Sequence, residues 1–309
     1  MNYSIYKLKF SAPVHFGKNQ LSDSEFSLCS DAVFSALCLE AVRMGEGILD
    51  ELISIARTDG IQISDALPYI GDKYLLPKPH VFVEHGKNED SSIIKKAFKK
   101  LKYITIDNFE SYINGSFDVL NAVELSELGV SSLKISASVR NEEGETMPYE
   151  IGTYSFNEGS GLFLIVGHSE EKAKALMNSL MNQLQHSGLG GKRSSGYGRF
   201  SYEIIEPDSW IVTRLDCDAE RYMLLNTALP NESEMADVVQ TANYSLVKRS
   251  GFVASQSYSD TWQRKKDLVM FKAGSCFDRR FKGDIYDVST DAGKHPVFRY
   301  GKPMLMRIS

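Results

Sequence analysis

The amino-acid sequence predicts an α+β fold of two ferredoxin-like units carrying insertions. Over the first two-thirds of the chain, strand and helix patterns follow one another as strand, helix, intervening strands, strand, helix, strand, compatible with a β-α-β-β-α-β unit. A break begins at Pro207, and a second, shorter set of strand and helix patterns restarts near Tyr222. With 309 residues, two domains of ordinary size are expected: one over 1–206 and a smaller one over 207–309.

Residues Ser4 to Phe10 alternate, so Tyr6, Leu8 and Phe10 share one face of a first strand. After a loop with Pro13, His15 and Gly17, Ser30 has the chemistry of a helix N-cap. Val33, Leu37, Ala41 and Met44 then recur at helical spacing until Gly45 and Gly47. Residues 85–130 read as an insertion, with the polar Asn88-Glu-Asp-Ser-Ser stretch and Lys95, Lys96, Lys99, Lys100 and Lys102 crowding a short helix. The run Gly161-Leu-Phe-Leu-Ile-Val166 has the length of a buried strand. A helix from about Glu170 to His186 aligns Ala173, Leu176, Met177, Leu180 and Leu184, and Gly188 suits its end. Arg199 to Ile204 alternates again as the last strand of the unit. The second unit has a strand near Tyr222-Met-Leu-Leu225, a helix near 233–243, and strands near 268–273 and 303–308.

Composition is that of a globular protein, 42% hydrophobic and 24% charged. No run approaches the roughly eighteen apolar residues of a membrane span, and the N-terminus lacks the layout of a secretory signal. Cys29, Cys38, Cys217 and Cys276 are scattered, with neither disulfide-framework nor zinc spacing, and a cytoplasmic setting is expected. His80 with His85, and His168 with His186, have no carboxylate or cysteine at metal spacing, so no metal and no cofactor is expected. Charge is uneven: residues 241–309 carry thirteen Lys or Arg against six Asp, a local +7 that leaves −12 on the rest of a chain totalling −5. A basic end on an acidic body suits one face for RNA and another for protein.

The most informative segment is Gly188-Leu-Gly-Gly-Lys-Arg-Ser-Ser-Gly-Tyr-Gly-Arg-Phe200, which falls between the last helix and last strand of the first unit. Its glycines, Gly190 and Gly191 among them, let backbone N–H groups approach an anion closely. Lys192 and Arg193 add charge, Ser194 and Ser195 donors, and Tyr197 a stacking or edge contact, all natural partners of RNA. A P-loop is excluded, because Gly191-Lys192 is followed by Arg193, position 186 is not glycine, and the loop runs from helix to strand. A dinucleotide fingerprint starting at Gly188 would need glycine at 193, where arginine stands. A tight connection that needs glycine for geometry alone is the other reading of these residues.

A glycine-rich basic loop in this position resembles the signature of the RAMP superfamily of CRISPR proteins. More closely, the chain resembles the Csm subunit four family of type III-A effector complexes. The matching pieces are Pro-Val-His-Phe-Gly (13–17), Ser-Asp-Ala-Val-Phe-Ser-Ala-Leu (30–37), Leu-Pro-Lys-Pro (76–79), Pro-Tyr-Glu-Ile-Gly (148–152) and the 188–200 loop. Toward the C-terminus they are Lys-Arg-Ser-Gly-Phe-Val (248–253), Arg-Lys-Lys-Asp (264–267) and His-Pro-Val-Phe-Arg-Tyr-Gly (295–301). The order of these pieces is specific where each alone is weak.

The resemblance implies two RRM-like RAMP domains and a non-catalytic role in antiviral defence. Such a subunit holds the repeat-derived 5′ handle of the crRNA, caps the filament of backbone RAMP subunits and docks the large polymerase-like signature subunit. It also implies an inserted hairpin, or thumb, that disturbs pairing of guide and target RNA near the first guide nucleotides. The 85–130 insertion is the sequence's candidate for that thumb. RNA contacts are assigned to His15, Lys18, Ser30, Gly190, Gly191, Lys192, Arg193, Ser194, Ser195 and Tyr197. Lys248, Arg249 and Ser250 resemble the C-terminal loop that completes an RNA cleft, and Arg264-Lys265-Lys266, Arg279-Arg280 and Lys282 come next. Asp31 would oppose a phosphate at the helix N-terminus unless its carboxylate accepts from a base or from backbone. The alternative function is a guide-processing endoribonuclease that uses His15 as general acid or base.

Overall fold

Strand β1 (Asn2–Phe10) alternates as its sequence predicts, but both of its faces are covered. Tyr6 and Leu8 pack toward helices, while Tyr3 and Ile5 pack against the C-terminal part of the chain. The computed structural model describes residues 1–17, 20–83, 92–139, 146–255 and 257–308. Helix α1 (Ser30–Met44) follows, then α2 (Ile48–Arg57) and the short strands β2 (Ile61–Ile63), β3 (Leu67–Ile70) and β4 (Lys73–Pro77).

At the start of α1 the structure corrects the sequence reading. Ser30 is the first helical residue, and the cap position is Cys29, whose side chain makes no capping bond. Asp65 substitutes from the β2–β3 connection: its Oδ1 accepts from the Ser30 N–H at 2.7 Å and from the Thr227 N–H at 2.8 Å. A donor left orphaned at a helix start is thus satisfied by a distant carboxylate rather than a local hydroxyl.

The 92–128 stretch is also not a loose excursion. Helix α3 (Ser92–Lys100), β5 (Tyr103–Thr105) and α4 (Phe109–Ile113) turn Ile104, Tyr112, Phe117 and Val119 into a small core of their own, and β5 adds to the sheet beside β4. The lysines of α3 lie on the solvent side while Ala97 and Phe98 pack inward. The polar Asn88-Glu-Asp-Ser stretch and His85 lie outside the described residues.

A long hairpin, β6 (Gly129–Val139) with β7 (Thr146–Phe156), comes next; its strands pair along their whole length, and Tyr154 of β7 also bridges Val14 of the first connection. Strand β8 (Ser160–His168), helix α5 (Glu171–Ser187) and β9 (Phe200–Ile205) complete the first unit. Every residue of β8 is buried. Leu162, Leu164 and Val166 face α1 and α5, and Phe163 and Ile165 face the C-terminal half, so an apolar run replaces alternation. The sheet order β3-β8-β1-β9, all antiparallel, is that of a β-α-β-β-α-β unit whose first helix is α1 and second α5.

Beyond it lie α6 (Ser209–Asp216), β10 (Tyr222–Leu224), α7 (Glu232–Val239), β11 (Leu246–Arg249), β12 (Leu268–Phe271), β13 (Cys276–Phe277), β14 (Ile285–Asp287), β15 (Phe298–Tyr300) and β16 (Leu305–Arg307). Here the plan is abbreviated to a three-stranded sheet, β13-β10-β16, with the β14–β15 hairpin between its last two strands. Met223, Cys276 and Met306 pack onto the first sheet, and Tyr222, Leu224 and Phe277 close a separate core with Val238 of α7. Buried polar bonds tie the two parts: Asn226 Nδ2 donates to the Ile63 and Lys302 carbonyls at 3.0 and 2.8 Å, and the Met304 N–H donates back to Asn226 Oδ1. Cutting any of them would strand a buried polar group. Among the described residues no helix is long and apolar enough to cross a membrane.

Candidate nucleic-acid interface

Three segments far apart in sequence meet in one cleft of about 230 Å³. The first turns of α1 supply Asp31 and Ser35, the glycine-rich loop supplies Gly190 and Arg193, and the C-terminal part supplies Arg249, Ser250, Lys265 and Arg299. Four cations therefore line the cleft against a single carboxylate.

That carboxylate organises the site. Asp31 is 5% exposed, and both its oxygens receive Arg249 Nε at 3.0 Å while Oδ2 receives Arg299 Nη1 at 2.8 Å. Asp31 thus acts as the counterion of two arginines reaching α1 from the other end of the chain, which explains an acid at a helix start meant to favour anions. Burial pulls the Arg249 guanidinium down, but Asp31 outweighs it and the net shift is upward. Arg299, 4% exposed, is held below its ordinary value, chiefly by burial, and its Nε has no hydrogen-bond partner. Burial first, then Arg299, lowers the Lys265 ammonium, whose Nζ donates to Ser35 Oγ at 3.3 Å. A buried excess of positive charge is costly when empty and is offset by an anion.

The glycine-rich loop is shaped by positive-φ turns. At Gly198, φ is 74° and an added Cβ would stand 1.9 Å from the Leu189 carbonyl oxygen. At Gly190, φ is 92° and the Cβ would stand 2.7 Å from the His15 carbonyl oxygen. Backbone bonds clip the loop to the first connection: Gly191 N–H donates to the His15 carbonyl, and Gly198 N–H to that of Pro13, each at 2.9 Å. Ser194 and Ser195 are exposed. Lys192 Nζ lies 4.9 Å above the Tyr149 ring, and Lys134 Nζ lies 5.4 Å from the Tyr197 ring centroid, so the β6–β7 hairpin leans on the loop through two cation–π contacts. Arg193 lies 3.8 Å from buried Glu40, with its Nη1 enclosed and unbonded; burial and then Arg43 draw its guanidinium below the ordinary value.

His15 is 7% exposed, and its Nδ1 sits 2.7 Å from the Gly152 carbonyl of β7, the geometry of an N–H donor. The ring stands between Gly17 and Gly191, either of which would meet it with a Cβ. Ser30 is fully enclosed, its hydroxyl donating to the Thr227 carbonyl at 3.1 Å, so it lies behind the cleft rather than on it. Ser250 is exposed on the rim, and Lys248 points outward to Asp267 at 2.7 Å. Lys18 lies outside the described residues. Arg280 does not line the cleft; it donates to the Leu215 and Cys217 carbonyls and packs on the Tyr222 ring. Arg279 pairs with Asp237 instead. The sequence reading missed the Asp31 clamp and the role of Arg299, although Arg299 falls within the 295–301 piece. Among the described residues no group of three or more His, Cys, Asp or Glu could hold a metal ion.

A ferredoxin-like sheet that carries a glycine-rich basic loop between its last helix and strand is the architecture of a RAMP protein of CRISPR systems. Residues 217–308 match the model of the CRISPR Csm4 C-terminal domain. Over its whole length the chain is 36% identical to the CRISPR system Cms protein Csm4 of Mycobacterium tuberculosis, covering 98% of that protein. It is 32% identical to the protein of that description from Streptococcus thermophilus, covering 99% of it. The fold is shared with a chain of the Csm3–Csm4 subcomplex from a type III-A CRISPR-Cas interference complex, at a TM-score of 0.66 and 20% identity over 99% of both chains. It is likewise shared with a chain of a Csm1–Csm4 cassette crystallised with AMPPNP, at a TM-score of 0.62 and 17% identity over 99% of this chain and 97% of that one. The chain belongs to the Csm4 family, a subunit of the type III CRISPR Csm complex.

Proposed function

We propose that this subunit holds the repeat-derived 5′ handle of the crRNA in the cleft between α1, the glycine-rich loop and the C-terminal basic segments, and that its work is structural rather than catalytic. The observation that carries the reading is the charge imbalance: Arg193, Arg249, Lys265 and Arg299 line the cleft with Asp31 as its one lining carboxylate, and the buried Glu40 behind Arg193 leaves the set net positive. An RNA phosphate supplies the missing anion, and the exposed Ser194 and Ser195 hydroxyls supply further donors at the rim. His15 serves the same end by position, stapling the first connection to β7 and packing under Gly191. Its buried ring, held through Nδ1, favours this over general acid–base chemistry on a scissile phosphate.

The β6–β7 hairpin is the thumb in this reading, in place of the 85–130 insertion. Leu133 and Ile135 stand exposed on it with no core to enter, suited to wedging between guide and target RNA near the first guide nucleotides. Capping of the backbone RAMP filament and docking of the large polymerase-like subunit belong to the same proposal, supported by the solved assemblies of this fold that pair Csm4 with Csm3 and with Csm1.

Complexes purified from the native host with Lys192→Ala/Arg193→Ala are expected to keep their protein subunits and lose most of their small RNA. The RNA kept by the unaltered complex should share one repeat-derived 5′ end. Full RNA occupancy in the double variant would refute the assignment of the loop. Metal-independent cutting of repeat RNA abolished by His15→Ala would refute the structural role.

A further inference from the structure

Beside the cleft, the chain displays an aromatic surface that none of the described residues cover. Trp262 is 84% exposed and Phe252 56%. Their rings meet edge to face with centroids 6.2 Å apart, and the Arg264 guanidinium lies 5.5 Å from the Phe252 ring. A short antiparallel ladder sets this up: Phe252 bridges Arg264, Val253 N–H donates to the Gln263 carbonyl, and Lys265 N–H donates to that of Gly251. The same ladder sends the Lys265 side chain into the cleft.

Trp262 also walls a second cavity of about 220 Å³. Its floor includes the buried Tyr258, and its rim carries Ser255, Ser259, Thr261 and Gln263. Ala254 lines both this cavity and the cleft, so the two are neighbours separated by one small residue. The one carboxylate on the rim, Asp260, is held by Lys294 at 2.7 Å, so its charge is offset.

We infer that this cavity is a stacking subsite for one unpaired nucleobase of the RNA strand whose phosphates occupy the cleft, an inference that rests on the function proposed above. An indole face and a guanidinium beside a cation-lined groove are the parts of a single-strand binding platform, where bases stack on aromatics while the backbone tracks positive charge. The hydroxyl and amide groups of the rim suit the edge of a base, which an apolar protein anchor would leave unpaired. Because π-faces are common to every base, the subsite fixes the position of a nucleotide more than its identity.

The sequence has two tryptophans, and the other, Trp210, packs on Phe109 under Arg214. In a Trp210→Phe background the intrinsic fluorescence of the full chain therefore reports on Trp262. The probes are a short single-stranded RNA of the handle sequence and the same RNA with each base in turn replaced by an abasic sugar. We expect the intact RNA to quench Trp262 and one abasic position to abolish quenching. Trp262→Ala should weaken binding roughly tenfold without changing the salt slope, and Trp262→Phe should retain most of the affinity. Tight RNA binding without quenching, or equal binding of every abasic RNA, would overturn the subsite while leaving the cleft intact. Absence of binding by the unaltered chain, both alone and within its complex, would remove the underlying reading and the subsite with it. A Trp262→Ala complex that keeps its RNA but sheds a protein subunit would make the surface a protein contact and reject the inference.

Discussion

The cleft and the β6–β7 hairpin solve opposite problems. In the cleft, charged side chains are drawn inside and fixed: Asp31 and Arg299 are each about as buried as a core leucine and hold one another at 2.8 Å. On the hairpin, apolar side chains are left outside: Val130, Leu133, Ile135 and Met147 stand in solvent, while only its β7 side, through Ile151 and Tyr154, is buried. The cleft is therefore part of what makes the protein fold, whereas the exposed face of the hairpin adds little to stability and presents a surface for something else. Position is bought in one region by burying charge and is left in the other to a partner.

Breaking the clamp should have the largest effect. Asp31→Ala leaves the Arg249 and Arg299 guanidinium groups in the interior without their counterion, and it should cost about 3 kcal/mol or more in urea unfolding. Gly198→Ala comes next. Its positive φ and the approach to the Leu189 carbonyl make a loss of about 2 kcal/mol the expected result, with reduced RNA retention because the loop is displaced.

A smaller effect comes from Asp65, whose carboxyl is pushed up to about 6 by burial, against the hydrogen bonds from the Ser30 and Thr227 N–H groups that favour its charged form. Since the folded value lies above the ordinary one, the folded state binds the extra proton between about pH 4 and 6. Stability contributed by this group is present below pH 4 and is lost as the pH rises through 6. Asp65→Asn, which can still accept from both N–H groups, should flatten that part of the stability profile in thermal melts across pH. The smallest effect is predicted at the other pole of the comparison. Leu133→Ser with Ile135→Ser should leave the unfolding midpoint within about 0.5 kcal/mol of the original, because neither side chain leaves a core. A loss above 2 kcal/mol there would mean that the hairpin is structural after all.

Much of the first unit was legible because its elements are long enough to show a period. The stripe Val33, Leu37, Ala41 fixes α1, the stripe Ala173 to Leu184 fixes α5, and the apolar run at 161–166 marks a strand covered on both faces. The short strands β2 to β5, three to five residues each, give alternation no room to appear. The hairpin was illegible for a different reason: residues 151–154 are buried while the apolar Leu133, Ile135 and Met147 stand exposed, so no single alternation runs along it. In the site, the glycine loop was visible because its chemistry is contiguous. The Asp31 clamp joins residues 218 and 268 positions apart, and no local pattern carries such a pairing. Ser30 was misread as a cap because the acceptor that replaces it, Asp65, arrives from another element.

Crosslinking the guide RNA within the purified complex by ultraviolet light, and mapping the attached peptides of this subunit, tests the central claim most directly. The account predicts that handle nucleotides attach to peptides spanning 188–200 and 248–266, with nucleotides at the guide–target boundary on the hairpin. Handle crosslinks confined to the hairpin, or to surfaces away from α1 and the glycine-rich loop, would contradict it.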